Sequence, residues 1–236
     1  MLESLLWGVV GAAPLVIGAV LAGLRRWPDR LIGVVLGFGA GALIASIAFE
    51  LWEDGLDAGG PVPLAIGVAL GAAVYFTADR LVERRAKRAG GAAAAGVPLA
   101  LGALLDGIPE QLVLGFGLAD GQGVSIALVV AIFVSNLPES VGSSADLLDG
   151  GVKKRSVLGI WSAVAVVCAL STVAGWALAD VATVGVRTGL SGFAAGALLV
   201  MLVDSMVPEA QTRAKDVAGV ATVLGFALAA GLGTMS

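Results

Sequence analysis

Apolar runs of about 20 residues recur along this 236-residue chain with only short polar breaks between them, and a helix of that length covers the roughly 30 Å hydrocarbon core of a bilayer. Eight runs are counted, at about 5–24, 31–51, 62–82, 95–118, 123–145, 156–178, 187–207 and 216–235. They leave no stretch long enough for a soluble domain. The sequence therefore predicts an all-α integral membrane protein, a single transmembrane domain over 1–236 with eight transmembrane helices. With 58% hydrophobic and 14% charged residues, a water-soluble fold of this size is excluded. The opening "MLESLLWGVV" lacks the basic leader of a cleavable signal peptide, so the first run is expected to stay as a span.

The breaks alternate in charge. Arg25, Arg26 and Arg30 follow the first run, Arg80, Arg84, Arg85, Lys87 and Arg88 the third, Lys153, Lys154 and Arg155 the fifth, and Arg213 and Lys215 the seventh. These are 13 of the 14 Lys and Arg, with Arg187 the exception. Cytoplasmic loops carry the excess of basic residues. The basic breaks, among them a loop at 83–94, are thus expected inside the cell and both termini outside it. Trp7, Trp52 and Trp176 near the outer ends and Trp27 and Trp161 near the inner ones are expected to form interfacial belts. The lone Cys168 reads as a buried structural thiol. Gly33, Gly37 and Gly41 form a small-residue stripe that lets helices approach closely.

Two stretches break the apolar pattern from within. "LLDGIPEQLVLG" carries Asp106, Pro109 and Glu110, and "FVSNLPESVGSS" carries Ser135, Asn136, Pro138 and Glu139. A carboxylate near a bilayer centre costs a few kcal/mol, so it normally faces a polar interior and marks a site. Asp106 and Glu110 are four residues apart and share a helix face, as do Ser135 and Glu139, with Asn136 adjoining. Pro109 and Pro138 each remove a helical donor and free the carbonyls of Leu105 and Val134. Fourth and fifth helices kinked at these prolines would meet at similar depth around a cation site made of oxygen, as broken helices of transporters do. Protonated acids bonding between helices, or a proton relay, are the alternatives.

These two Pro-Glu stretches resemble the signature helices of the ZIP (Zrt/Irt-like) divalent metal transporters, which read approximately H-N-x-P-E-G and H-[E/D/N]-x-P-E-G. "FELWEDGL" and "VDSMVPEAQ" resemble helix ends of that family more loosely. The resemblance implies that Asp106, Glu110, Asn136 and Glu139 line a transport site, with Ser135 a weaker participant. Asp106, Gly107 and Ser135 stand where the family has His, Asn and His, and Gln111 and Ser140 replace glycines. The chain has no histidine. Oxygen ligands suit harder ions such as Mn²⁺, while imidazole suits zinc.

Glu50 and Glu53, with Asp54 and Asp57, cluster where they could gather cations outside, and Gln111, Asp146, Asp204 and Glu209 are further pathway candidates. The function expected is transport of a divalent cation (zinc, manganese or iron) across the plasma or inner membrane into the cytoplasm. No permanently bound cofactor is expected. The partners are the metal ion and the lipid bilayer, with a homodimer as the oligomer to test, and no nucleic acid. The chain is not expected to be an enzyme. It has no Gly-x-x-x-x-Gly-Lys loop, no Gly-x-Ser-x-Gly elbow and no His-Glu-x-x-His helix. A non-transporting metal sensor or scaffold, and less readily an intramembrane acid–base enzyme, are the competing classes.

Overall fold

The computed structural model describes the backbone at residues 1–89, 92–119, 124–179 and 181–233. Side chains at 83, 85–89, 92–101, 106 and 127 lie outside the described residues. Every regular element described is helical: α1 (Leu2–Leu24), α2 (Asp29–Ser46), a π-helical segment (Ile47–Glu53), α3 (Asp54–Gly59), α4 (Pro61–Ala89), α5 (Ala92–Ala119) and α6 (Ile126–Asp149). There follow α7 (Lys154–Ala179), α8 (Val184–Met201), a second π-helical segment (Leu202–Met206), α9 (Val207–Ala214), a 3-10 turn (Lys215–Val217) and α10 (Ala218–Gly233).

Among the described residues, six helical runs are long and apolar enough to cross a membrane: Leu2–Leu24, Asp29–Gly59, Pro61–Val82, Leu128–Asp149, Lys154–Ala179 and Val184–Gly233. The chain is thus a multi-pass membrane protein. The last run is 50 residues long but does not keep one direction. Met206 lies at Gly39 of α2 and Ala214 at Gly33, whereas Ala218 lies at Gly37 and Thr222 at Gly41. The chain therefore passes α2 in one sense and returns along it in the other. Lys215, at φ 52, makes the reversal in a backbone region that non-glycine residues rarely adopt.

Helices overrun the predicted breaks. The segment expected as a loop at 83–94 is helical up to Ala89 and again from Ala92. Its Arg, Lys, Glu and Ala are strong helix formers, so the chain stays helical after leaving the apolar run. The acidic "EDGLDAGG" is likewise helical to Gly59 and stops at Gly60, whose φ of 81 suits glycine.

Many large apolar side chains face outward, while close helix contacts are lined largely by small residues. Val62, Ile66, Leu70 and Val74 form an exposed apolar stripe on α4, at the i+4 spacing of one helix face. The buried faces are rich in Gly, Ala and Ser, which allow the close packing that holds helices together in lipid. At Gly37 a Cβ would fall 2.9 Å from the Ala218 carbonyl oxygen, so the α2–α10 contact requires glycine there.

Two packed groups result. In the first, α1 lies along α6 and α7, and α5 lies along α7; in the second, α2 lies along α9 and α10, and α4 along α8, while α6 also lies along α2 and joins the two groups. Leu15, Leu147, Val157, Trp161 and Cys168 belong to the core of the first group, and Leu36, Leu43, Leu198 and Met201 to that of the second. Cys168 is buried, as expected. Trp161 is not the interfacial anchor expected of it: it is 0% exposed inside the first core. Helix position alone put it near a membrane surface, but its rotational face on α7 points toward α1 and α6 rather than lipid.

Candidate functional site

Proline interrupts hydrogen bonding in both signature stretches while the helices run on through it: Pro109 lies within α5 and Pro138 within α6. The Val134 carbonyl, left without a partner by Pro138, faces Gly39 of α2, where a Cβ would stand 2.9 Å from it. Ser135 Cα and Met206 Cε crowd the same glycine. The Pro-Glu step of α6 thus sits on the seam between the two groups, beside a carbonyl that only glycine leaves uncovered.

Glu110 is 2% exposed, and its Oε2 has no hydrogen-bond partner. Glu139, partly buried, lies close enough for the two carboxylates to interact through their charges, and Glu139 interacts in the same way with Glu209 on α9. Ser135 and Asn136 are buried on the same helix as Glu139. The Ser135 hydroxyl donates to the Ile132 carbonyl at 3.1 Å, which leaves the lone pairs of its Oγ as acceptors. Asp106 lies on α5, and its side chain is outside the described residues. Among the described residues, no three Asp, Glu, His or Cys side chains converge closely enough to hold a metal ion. Glu110 and Glu139, at the two Pro-Glu steps, are thus within electrostatic reach of each other.

Three residues at the two Pro-Glu steps that differ from the resembled pattern are held by packing. Gly107 lies on Cys168, whose Sγ would be 2.6 Å from a Cβ, so any side chain there requires Cys168 to shift. Gln111 is 1% exposed and accepts a hydrogen bond from the Thr172 hydroxyl of α7, while its Nε2 packs against Gly11 of α1. Ser140 donates to the Pro14 carbonyl at 3.0 Å and packs on Gly18. Where the family has glycine after each Pro-Glu pair, this chain has side chains on α5 and α6 and glycines opposite them on α1. The bulk has changed sides. Gln111 accordingly ties α5 to α7 and α1.

The remaining pathway candidates separate. Glu50 accepts from the Ser125 hydroxyl at 2.5 Å and, with Asp54, Arg187, Thr188 and Ser191, lines a cavity of about 320 Å³ at one end of the molecule. Glu53 is exposed outside this lining. Arg187, the one cation off the basic pattern, stands 5.8 Å from the Phe116 ring centroid in the same cavity. At the opposite end of α6, Asp146 and Glu209 share Arg213, at 3.5 and 2.9 Å, and Asp29 holds it as well at 3.0 Å. Asp204 does not join them. It is exposed on the π-helical segment and borders an apolar cavity between α4 and α8.

Arg213, Ser125 and Thr172 escape a reading of the sequence because their roles depend on partners far along the chain. Glu209 had a local signal: Pro208–Glu209 is a third Pro-Glu pair. The wide π-helical turn immediately before it takes up the proline that cannot donate. No protein-family model and no curated protein sequence matches this chain.

Proposed function

We propose that this chain is a ZIP-like transporter that carries a divalent cation across a plasma or inner membrane into the cytoplasm, crossing the bilayer eight times. The observation that carries the reading is Glu110: a carboxylate 2% exposed, with an unpartnered oxygen, within charge range of a second acid at a second Pro-Glu step. Buried polar atoms are normally hydrogen-bonded, and a lone buried carboxylate costs several kcal/mol. A cation between Glu110 and Glu139 removes that cost, with Asp106, Ser135 and Asn136 as further oxygen donors.

Eight crossings are supported by relative directions. α1 runs parallel to α6, since Pro14 meets Ser140 and Arg26 meets Asp149, and antiparallel to α7, since Gly8 meets Thr172 and Gly23 meets Lys154. α5 runs parallel to α7, α4 parallel to α8, and α2 antiparallel to α6. Each pair has the sense that eight alternating passes require, counting the reversal at Lys215 as a return. Orientation is tested by labelling: with Cys168→Ala as background, a cysteine replacing Ala89 should resist impermeant thiol reagents in intact cells and one replacing Gly121 should react. The opposite pattern reverses inside and outside.

Purified protein in liposomes, assayed for uptake of Mn²⁺, Fe²⁺, Co²⁺, Zn²⁺, Cd²⁺ and Mg²⁺ in turn, tests the function itself. Saturable uptake of at least one ion is expected. Thermal stabilisation by metal without flux of any of them would favour a sensor and reject the transporter.

A further inference from the structure

α6 packs on α1 of the first group and on α2 of the second, and it carries a polar contact to the second group at each end. At its start, Ser125 caps the helix by accepting from the Leu128 N–H at 3.1 Å and donates its own hydroxyl to Glu50 at 2.5 Å. Near its end, Asp146 accepts from Arg213 Nη2 at 3.5 Å. Arg213 is anchored on its own side: Glu209 of α9 takes its Nε at 2.9 Å and Asp29 of α2 its Nη1 at 3.0 Å. The three nitrogens of one guanidinium are thereby shared among three helices, and only Asp146 belongs to the first group.

Between the two ties α6 packs along α2, with Ala131 and Val141 buried in the core of the second group. Ser135, Glu139, Gly142 and Asp146 follow one another along one face of α6. Ser135 backs onto Gly39 of α2, and Gly142 lies over Glu209 and Arg213. The Pro-Glu step of α6 therefore sits midway along a seam with a polar contact at either end. Other side-chain bonds of α6, from Ser140 to Pro14 and from Asp149 to Arg26, stay inside the first group and move with it.

We propose that these two contacts are alternating latches, Ser125–Glu50 closing the outer end of the seam and Arg213–Asp146 the inner end, so that release of one is what opens the Glu139 region to that side. The purpose of the latches rests on the transport reading; their geometry does not. Arg213 is 17% exposed and Asp146 is 66% exposed, and an exposed ion pair at 3.5 Å is a weak tie. Asp146 is thus the partner that lets go, while Arg213 stays with Glu209 and Asp29. The guanidinium fork makes this division, because it can hold two carboxylates as it loses the third.

A cysteine at Gly142 reads the inner end directly. Its Cβ would stand 3.5 Å from Glu209 Oε1 and 3.6 Å from Arg213 Nη2, an ordinary contact that leaves the latch intact. In metal-free purified protein carrying Cys168→Ala and Gly142→Cys, Asp146→Asn should raise the rate of maleimide alkylation about fivefold. Arg213→Lys, which keeps the charge but not the fork, should raise it less. Ser125→Asp keeps the helix cap but places like charge against Glu50, so it should open the outer end and lower inner alkylation at least threefold. Rates within twofold of the parent for Asp146→Asn and Arg213→Lys, or a change of the same sign for Asp146→Asn and Ser125→Asp, overturn the proposal. Melting temperatures within a few degrees of the parent show that altered rates reflect the seam and not unfolding. No metal enters this assay, so its failure leaves the transport reading standing, and absent flux with the alkylation pattern intact rejects transport alone.

Discussion

Glu110→Gln and Glu139→Gln are each expected to lower metal flux in liposomes to near background while the protein still folds and inserts. Glutamine keeps the shape of the side chain and removes its charge. Glu110 Oε2 has no hydrogen-bond partner to lose, so the substitution breaks no tie inside the first group. What it does lose is the charge opposite a cation in a place with little water. Loss of one such carboxylate should weaken cation affinity by at least one to two orders of magnitude, at about 1.4 kcal/mol per tenfold. Glu53→Gln, an exposed acid away from the Pro-Glu steps, should change flux far less. Initial uptake rates at several metal concentrations separate an affinity loss from a loss of folded protein, whose amount is read by size-exclusion chromatography. Normal uptake by both variants would sink the proposed site.

The second large effect concerns ion choice. Asp106→His combined with Ser135→His should raise the ratio of Zn²⁺ to Mn²⁺ initial uptake, because imidazole nitrogen favours zinc where carboxylate and hydroxyl oxygen do not. A tenfold rise in the ratio is the expected order, equivalent to about 1.4 kcal/mol between the two ions. Zinc uptake by the double variant should also fall on acidification through the imidazole range, near pH 6.5, since only the neutral ring binds metal. Ser135 is buried, with its Cα against Gly39, so Ser135→Asn serves as a size control that adds bulk without the nitrogen lone pair. If the double variant transports with an unchanged or lower ratio, these two positions do not set selectivity, and the preference for a harder ion is withdrawn.

Several features were readable along the chain because each depends on near neighbours. The helices follow the apolar runs, the stripe Gly33, Gly37 and Gly41 meets α9 at its first step and α10 at the other two, and Cys168 is buried. Glu110, Ser135 and Asn136 are buried where the pattern of acids and prolines placed them. Helix ends were read less well, since Ala, Arg, Lys and Glu continue a helix past the edge of an apolar run and hydropathy does not register them. Trp161 failed for a different reason: depth along a helix follows from sequence position, whereas the face that meets lipid depends on which helices pack around it.

The sequence by itself determined that this is a multi-pass helical membrane protein with charge at two Pro-Glu steps, because bilayer thickness and the cost of a buried carboxylate act on short stretches of chain. It also held the glycines without which the helices could not approach. Tertiary structure alone decided which helix meets which. Only folding brings Gln111 to Thr172 and Gly11, sets Ser140 against Gly18, and gathers Asp29, Asp146 and Glu209 around Arg213. Arg213 and Asp29 are 184 residues apart in the chain and 3.0 Å apart in space. No local periodicity encodes such a meeting, because it follows from the mutual packing of whole helices, and the two ends of α6 become ties between two bodies only once that packing exists.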